Sequence, residues 1–152
     1  MAGDGSFVLD ASVAVKWYLV AGEDQLEEAA QVLAAYSGGR LDLVAPDAIF
    51  SEVVSAITVA TLGRQPRITR QLGRLAIVRF LDLELRTLPG KDFLPAAFDL
   101  VHQYGCALYD AIYLALAQRL GIAFITADGK LYQRIGHLPE VVWLGDYTGA
   151  DR

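Results

Sequence analysis

The chain has 152 residues, 54% of them hydrophobic, with a formal net charge of −5 and a single cysteine, Cys106. That length fits one domain spanning 1–152, able to bury roughly 70% of the unfolded chain's surface. One cysteine excludes an internal disulfide, no apolar run reaches the ~18 residues of a membrane helix, and residues 1–10 lack a basic stretch followed by an apolar one, so a cytoplasmic protein is expected.

Short β-rich apolar runs alternate with longer segments of helical period, the pattern of a parallel sheet covered by helices on both faces. A first strand is expected over residues 7–9, ending in Asp10. Helices over 14–20 and 23–36 stop at Gly38-Gly39, and a second strand over 41–45 is closed by Pro46. Asp47 is placed to cap a helix running to 62, with Gly63 just past its end. An arginine-bearing helix over 68–81 leads to a third strand over 83–88. Two more helices follow, over 92–103 and 108–120, then a fourth strand over 122–126, a short helix over 129–135 and a fifth strand over 141–144.

Four carboxylates stand out on this frame. Asp10 and Asp128 fall at or just past the carboxyl ends of strands, the edge at which open α/β sheets bind ligands. Glu52 lies in a helical segment with no other charge between Ala48 and Gly63, and Asp110 precedes seven apolar or aromatic residues, Ala111 to Ala117. Ordinary roles exist for three of them: Asp128 as a helix N-cap, Asp10 as a turn former, Asp110 as a partner of a helix N-terminus. Glu52 is harder to place, because burying a carboxylate without a partner costs several kcal/mol and no base lies near it in sequence. Acids converging on one edge would repel unless a cation sits among them, and an all-oxygen donor set suits Mg²⁺ or Mn²⁺ and not zinc. His102 and His137 lack ligand-like spacing and are expected at the surface or at a cap.

Held by such acids, one or two divalent ions can activate water against a phosphodiester. Ser12 and Thr126, the hydroxyls nearest Asp10 and Asp128, would then steady the carboxylates, or serve only as turn and strand-end residues. The negative net charge argues against a nucleic-acid partner, yet four acids neutralised by two divalent ions leave the remainder near about −1. No acid lies between Glu52 and Asp82, whereas Arg64, Arg67, Arg70, Arg74 and Arg79 all do. Arg67, Arg70 and Arg74 have the spacing of one helical face, which fits both a solvated surface and a nucleic-acid phosphate contact.

The segments Val8-Leu9-Asp10-Ala11-Ser12-Val13-Ala14-Val15-Lys16-Trp17, Pro46-Asp47-Ala48-Ile49-Phe50-Ser51-Glu52-Val53, Leu108-Tyr109-Asp110-Ala111-Ile112-Tyr113-Leu114-Ala115-Leu116-Ala117 and Phe124-Ile125-Thr126-Ala127-Asp128 together resemble PIN-domain ribonucleases, most closely the VapC-type toxins of toxin–antitoxin pairs. The resemblance spans nearly the whole chain in the family's order. It implies a three-layer α/β/α domain with a five-stranded parallel sheet and Mg²⁺- or Mn²⁺-dependent endoribonuclease activity. It further implies that Asp10, Glu52, Asp110 and Asp128 form the acidic quartet, with Ser12 and Thr126 at the hydroxyl positions. The same resemblance implies a homodimer and a cognate VapB-type antitoxin whose C-terminal segment reaches the acids.

Other readings meet obstacles in particular residues. A haloacid-dehalogenase-type phosphatase needs a second Asp two residues after the first, where Ser12 stands. A receiver domain needs adjacent acids by the first strand, and Met1 to Phe7 supplies only Asp4. A dinucleotide-binding fold needs its glycines after that strand, and Gly3 and Gly5 precede it. A catalytically idle, metal-binding interaction module remains the alternative of a different class. The apolar density of Val13, Val15, Trp17, Tyr18, Leu19 and Val20, and of Ile49, Phe50, Val53, Val54 and Ile57, predicts an exposed groove beside the acids for a protein partner.

Overall fold

The computed structural model describes residues 5–149. Five strands, β1 (Ser6–Leu9), β2 (Asp42–Pro46), β3 (Arg86–Leu88), β4 (Ala123–Thr126) and β5 (Val141–Trp143), form one sheet in the order β3-β2-β1-β4-β5. All four pairings are parallel, with Val8 opposite both Val44 and Phe124. Among the described residues seven α-helices accompany them: α1 (Ala11–Val15), α2 (Leu26–Ser37), α3 (Ala48–Ala60), α4 (Arg70–Leu81), α5 (Leu94–Tyr104), α6 (Leu108–Leu120) and α7 (Gly129–Ile135). Parallel strands require crossovers, and right-handed ones put α1 to α4 on one face of the sheet and α5 to α7 on the other, which makes the three-layer α/β/α fold. The chain steps outward from β1 to β3, then returns to β4 on the far side of β1, so the strand order switches between β1 and β4.

Composition explains the layers. The run Ala111 to Ala117 is buried on every side, because α6 packs across β1, β2 and β4 while α5 covers its back. On the opposite face Ile49, Val53 and Ile57 of α3 recur at helical spacing and are fully buried, with Phe80 of α4 beside them.

Several boundaries differ from those the sequence predicts, each for a local reason. The first helix starts at Ala11, directly after Asp10, and ends at Val15 instead of occupying 14–20. Beyond it Lys16 turns inward, its ammonium bonding the Glu23 carboxylate at 3.1 Å and the Asp24 carbonyl at 2.9 Å. The next helix begins at Leu26 and not at 23, because Gln25 adopts a left-handed φ of 59°. Asp47 stands at the start of α3 but makes no side-chain cap; its Oδ1 accepts the Gly90 N–H at 3.0 Å and ties α3 to the turn after β3. Thr69 caps α4, accepting the Leu72 N–H at 3.1 Å, so that helix opens at Arg70 and excludes residue 68. The third strand is shortened by Glu84, whose φ is 52°. The helix expected over 92–103 is a 3₁₀ turn, Gly90–Phe93, followed by α5.

Candidate active site

Asp10 leaves β1 on the edge where the strand order switches, and is only 4% exposed. Its Oδ2 accepts two hydroxyl protons, from Ser12 Oγ at 2.6 Å and Thr126 Oγ1 at 2.7 Å. Each hydroxyl is fixed in turn from behind: the Ala127 N–H donates to Ser12 Oγ at 2.9 Å, and the Asp128 N–H to Thr126 Oγ1 at 3.1 Å. The ends of β1 and β4 are thereby laced together, and the Asp10 carboxylate is held in one orientation.

Asp128 takes up its cap role. Its Oδ1 accepts the N–H groups of Lys130 and Leu131 at 3.0 and 3.1 Å and anchors α7, while Oδ2 takes neither bond. Asp110 stands in the first turn of α6, half-buried, and Glu52 is half-buried on α3. Glu52 Oε1 accepts a hydrogen bond from the Tyr113 hydroxyl at 3.2 Å.

Three of the acids respond to burial and to neighbouring acidic charge. Burial pushes the Asp10 carboxyl above its ordinary range against the pull of the two hydroxyls, and the Asp128 charge pushes it further. Burial raises Glu52 to about 7, helped by the charges of Asp10 and Asp110 and opposed by the Tyr113 bond. Asp110 rises to about 6 through burial and the charges of Asp10 and Asp128. No lysine or arginine offsets any of these three shifts. Among the described residues, no three His, Cys, Asp or Glu side chains are already closed into a cage for a metal ion. In chemistry, though, the residues fit a hard divalent cation: the donors are all oxygen, mutually repelling, and without a base among them.

Elsewhere the structure corrects the sequence. Arg67 does not share a helical face with Arg70 and Arg74; it lies in the turn before α4, where its guanidinium bonds the Ala21 carbonyl at 2.8 Å and Glu23 at 3.1 Å. Arg70 and Arg74 lie on α4 and are exposed. Both histidines are at the surface, as expected, with ring contacts from His102 to Phe98 and from His137 to Tyr104. The side chains expected to line a groove are largely drawn into the protein's own packing. Val13, Leu19, Ile49, Val53 and Ile57 are buried, Val15, Trp17, Tyr18, Phe50 and Val54 partly so, and only Val20 is exposed. The reason is that α1 and α3 pack on each other as well as on the sheet. Other exposed large apolar side chains lie at the end of α3 and just past it (Val59, Leu62), on α4 (Leu72, Leu75, Val78, Leu81), on α5 (Leu94, Phe98) and at the two ends of α6 (Leu108, Tyr109, Leu120). Sequence reasoning also passed over Tyr113, whose signal was available: it is the one hydroxyl in the apolar run 111–117, three residues after Asp110.

A parallel five-stranded sheet with this order, carrying acids at the switch point and on the flanking helices, is the architecture of one class, and the sequence agrees with it. The PIN domain family model matches residues 7–137, and the chain belongs to that family. Within it, the chain is similar to Ribonuclease VapC12 of Mycobacterium tuberculosis, in strains CDC 1551 / Oshkosh and ATCC 25618 / H37Rv. The identity is 35% over 134 residues, which covers 88% of this chain and 95% of the relative. Among solved structures, a chain of a toxin–antitoxin complex from Klebsiella pneumoniae shares the fold with a TM-score of 0.60 and 19% identity, over 90% of this chain and 95% of that one. No helix among the described residues is long and apolar enough to cross a membrane.

Proposed function

We propose that this protein is a Mg²⁺- or Mn²⁺-dependent endoribonuclease that hydrolyses RNA phosphodiester bonds as the toxin of a VapBC-type pair. One observation carries the reading: at the sheet's switch point burial, together with the neighbouring acidic charges, raises the proton affinity of Asp10, Glu52 and Asp110, with no base to balance them. A cation is the natural counter-charge there. The names of the mycobacterial relatives supply the substrate class.

In this reading the four carboxylates are the metal ligands. The bound cation supplies an activated water and stabilises charge on the phosphate. Asp10 acts from a fixed position, because Ser12 and Thr126 each donate to its Oδ2. Asp128 caps α7 through Oδ1, and the rest of its carboxylate would be available to help hold the cation. Arg70 and Arg74 are exposed and available to RNA phosphates, whereas Arg67 is engaged with Glu23. A cognate antitoxin silences the toxin, and the exposed apolar side chains of α4 and α5 serve a homodimer in the cytoplasm.

The test uses purified protein, free of any antitoxin, incubated with a panel of structured RNAs and Mg²⁺ or Mn²⁺, with and without chelator. Chelator-sensitive cleavage by the parent protein, lost in Asp10→Asn, is the expected result. No cleavage across the panel at saturating Mn²⁺ would overturn the reading in favour of a metal-binding interaction module.

A further inference from the structure

The buried phenol of Tyr113 has a partner that a core residue does not need. Its side chain is 1% exposed, in a helical run otherwise made of Ala, Ile and Leu. Packing alone would accept Phe at such a position, and a buried hydroxyl costs stability unless it is hydrogen-bonded. The Tyr113 hydroxyl donates to Glu52 Oε1 at 3.2 Å, across 61 positions of sequence and between helices on opposite faces of the sheet. No other hydrogen bond to the Glu52 side chain is made among the described residues.

The ring itself is well held. It stacks on Phe124 at 5.8 Å between centroids and 19° between planes. Phe124 lies two residues before Thr126 on β4, so both side chains point to the same face of the sheet. One strand therefore steadies Asp10, through the Thr126 hydroxyl, and the phenol that meets Glu52. Asp110 lies one helical turn before Tyr113, so α6 brings one acid and grips another.

We propose that Tyr113 is a positioning residue: its hydroxyl fixes the Glu52 carboxylate toward the other acids and so couples the α3 and α6 contributions to the cation site. The cation rests on the function proposed above; the grip on Glu52 does not. Groups that hydrogen-bond a metal-binding carboxylate commonly change metal affinity about 10–100-fold when removed.

Tyr113→Phe keeps the ring and removes only the hydroxyl. Two readouts separate the claims. Crystal structures of the metal-free parent and of Tyr113→Phe should show Glu52 ordered in the first and rotated or disordered in the second, and an unchanged Glu52 overturns the positioning role. Calorimetric titration with Mn²⁺ alone should show affinity about tenfold weaker or more in Tyr113→Phe, with no further loss when the change is added to Glu52→Gln. An equal loss on top of Glu52→Gln overturns coupling through Glu52. The control is Tyr36→Phe, which removes a phenol bonded to the Leu83 carbonyl at 3.1 Å and should leave Mn²⁺ affinity unchanged. A parent protein that binds no Mn²⁺ would overturn the metal reading alone, leaving Tyr113 to be judged by the crystal structures.

Discussion

The Thr126 hydroxyl reaches Asp10 Oδ2 at 2.7 Å across the boundary between β4 and β1, and both side chains are buried. The same hydroxyl accepts the Asp128 N–H, so one Oγ1 serves two of the acids. Thr126→Val keeps the shape and removes both bonds. It strands a partly buried N–H and leaves a buried carboxylate with one fewer donor, which should cost about 1–3 kcal/mol in urea unfolding. In the same variant Mn²⁺ affinity should fall about 10-fold or more. Unchanged stability together with unchanged affinity would reduce Thr126 to a filler of the strand end.

Asp10→Asn tests the charge of the cluster apart from its shape. The amide fills the same space, so the fold should persist, and with one repelling charge gone the metal-free protein should melt at or above the parent's temperature. Added Mn²⁺ should raise the parent's melting temperature, because a ligand that binds only the folded state stabilises it, and should raise the variant's far less. RNA cleavage should fall at least about a hundredfold, because the cation that stabilises charge on the phosphate loses one of its anionic ligands. An unfolded variant, or one that still cleaves at the parent rate, would make Asp10 structural.

The sheet and the strand-end acids were legible because both follow from local rules: apolar β-rich runs alternating with helical periods, and an acid at or just past the end of two of those runs. What could not be read depends on segments far apart in sequence. Arg67 has the spacing of a helical face with Arg70 and Arg74, but Thr69 starts the helix later and Glu23 captures Arg67 from another loop. The apolar surplus on α1 and α3 implied a groove because one sheet face buries one stripe per helix; those helices also bury a stripe against each other. Tyr113 shows in sequence as the single hydroxyl of an apolar run, but its partner Glu52 lies 61 positions away. Only the approach of α3 to α6 gives that hydroxyl a purpose.

Glu23 sets a pH dependence away from the acids. Burial alone would raise its pKa, but the hydrogen bonds and charges of Lys16 and Arg67 prevail and lower it below the ordinary 4.5. A carboxylate with a depressed folded-state pKa binds fewer protons than in the unfolded chain, so its stabilisation is present above the unfolded value and is lost as pH falls through the folded one. The parent's melting temperature should therefore drop more steeply than that of Glu23→Gln as pH is taken from 6 to about 3. At neutral pH Glu23→Gln should be the less stable of the two, since it leaves the buried Lys16 ammonium without its counter-charge. Parallel curves would show that the clasp contributes nothing measurable.

Gly73 of α4 packs tightly against the C-terminal end of α3. A Cβ there would stand 2.6 Å from Thr61 Cγ2, with Ile57 Cγ2 at 3.5 Å and Ile68 Cδ1 at 3.6 Å. By helix propensity alone Gly73→Ala should stabilise by about 1 kcal/mol. The contact opposes this, because Thr61 is branched at Cβ and its hydroxyl is bonded to the Thr58 carbonyl at 2.7 Å, so rotating the methyl aside sacrifices that bond. Overpacking of this kind costs about 1–3 kcal/mol, and Gly73→Ala should come out net destabilising. Thr61→Ser removes the methyl and keeps the hydroxyl, so Gly73→Ala/Thr61→Ser should recover the loss and reveal the helix gain. The check is a double-mutant cycle by urea unfolding, with a favourable interaction energy of about 1 kcal/mol or more between the two substitutions. If Gly73→Ala alone is more stable than the parent, the α3–α4 contact yields easily and glycine is not required there.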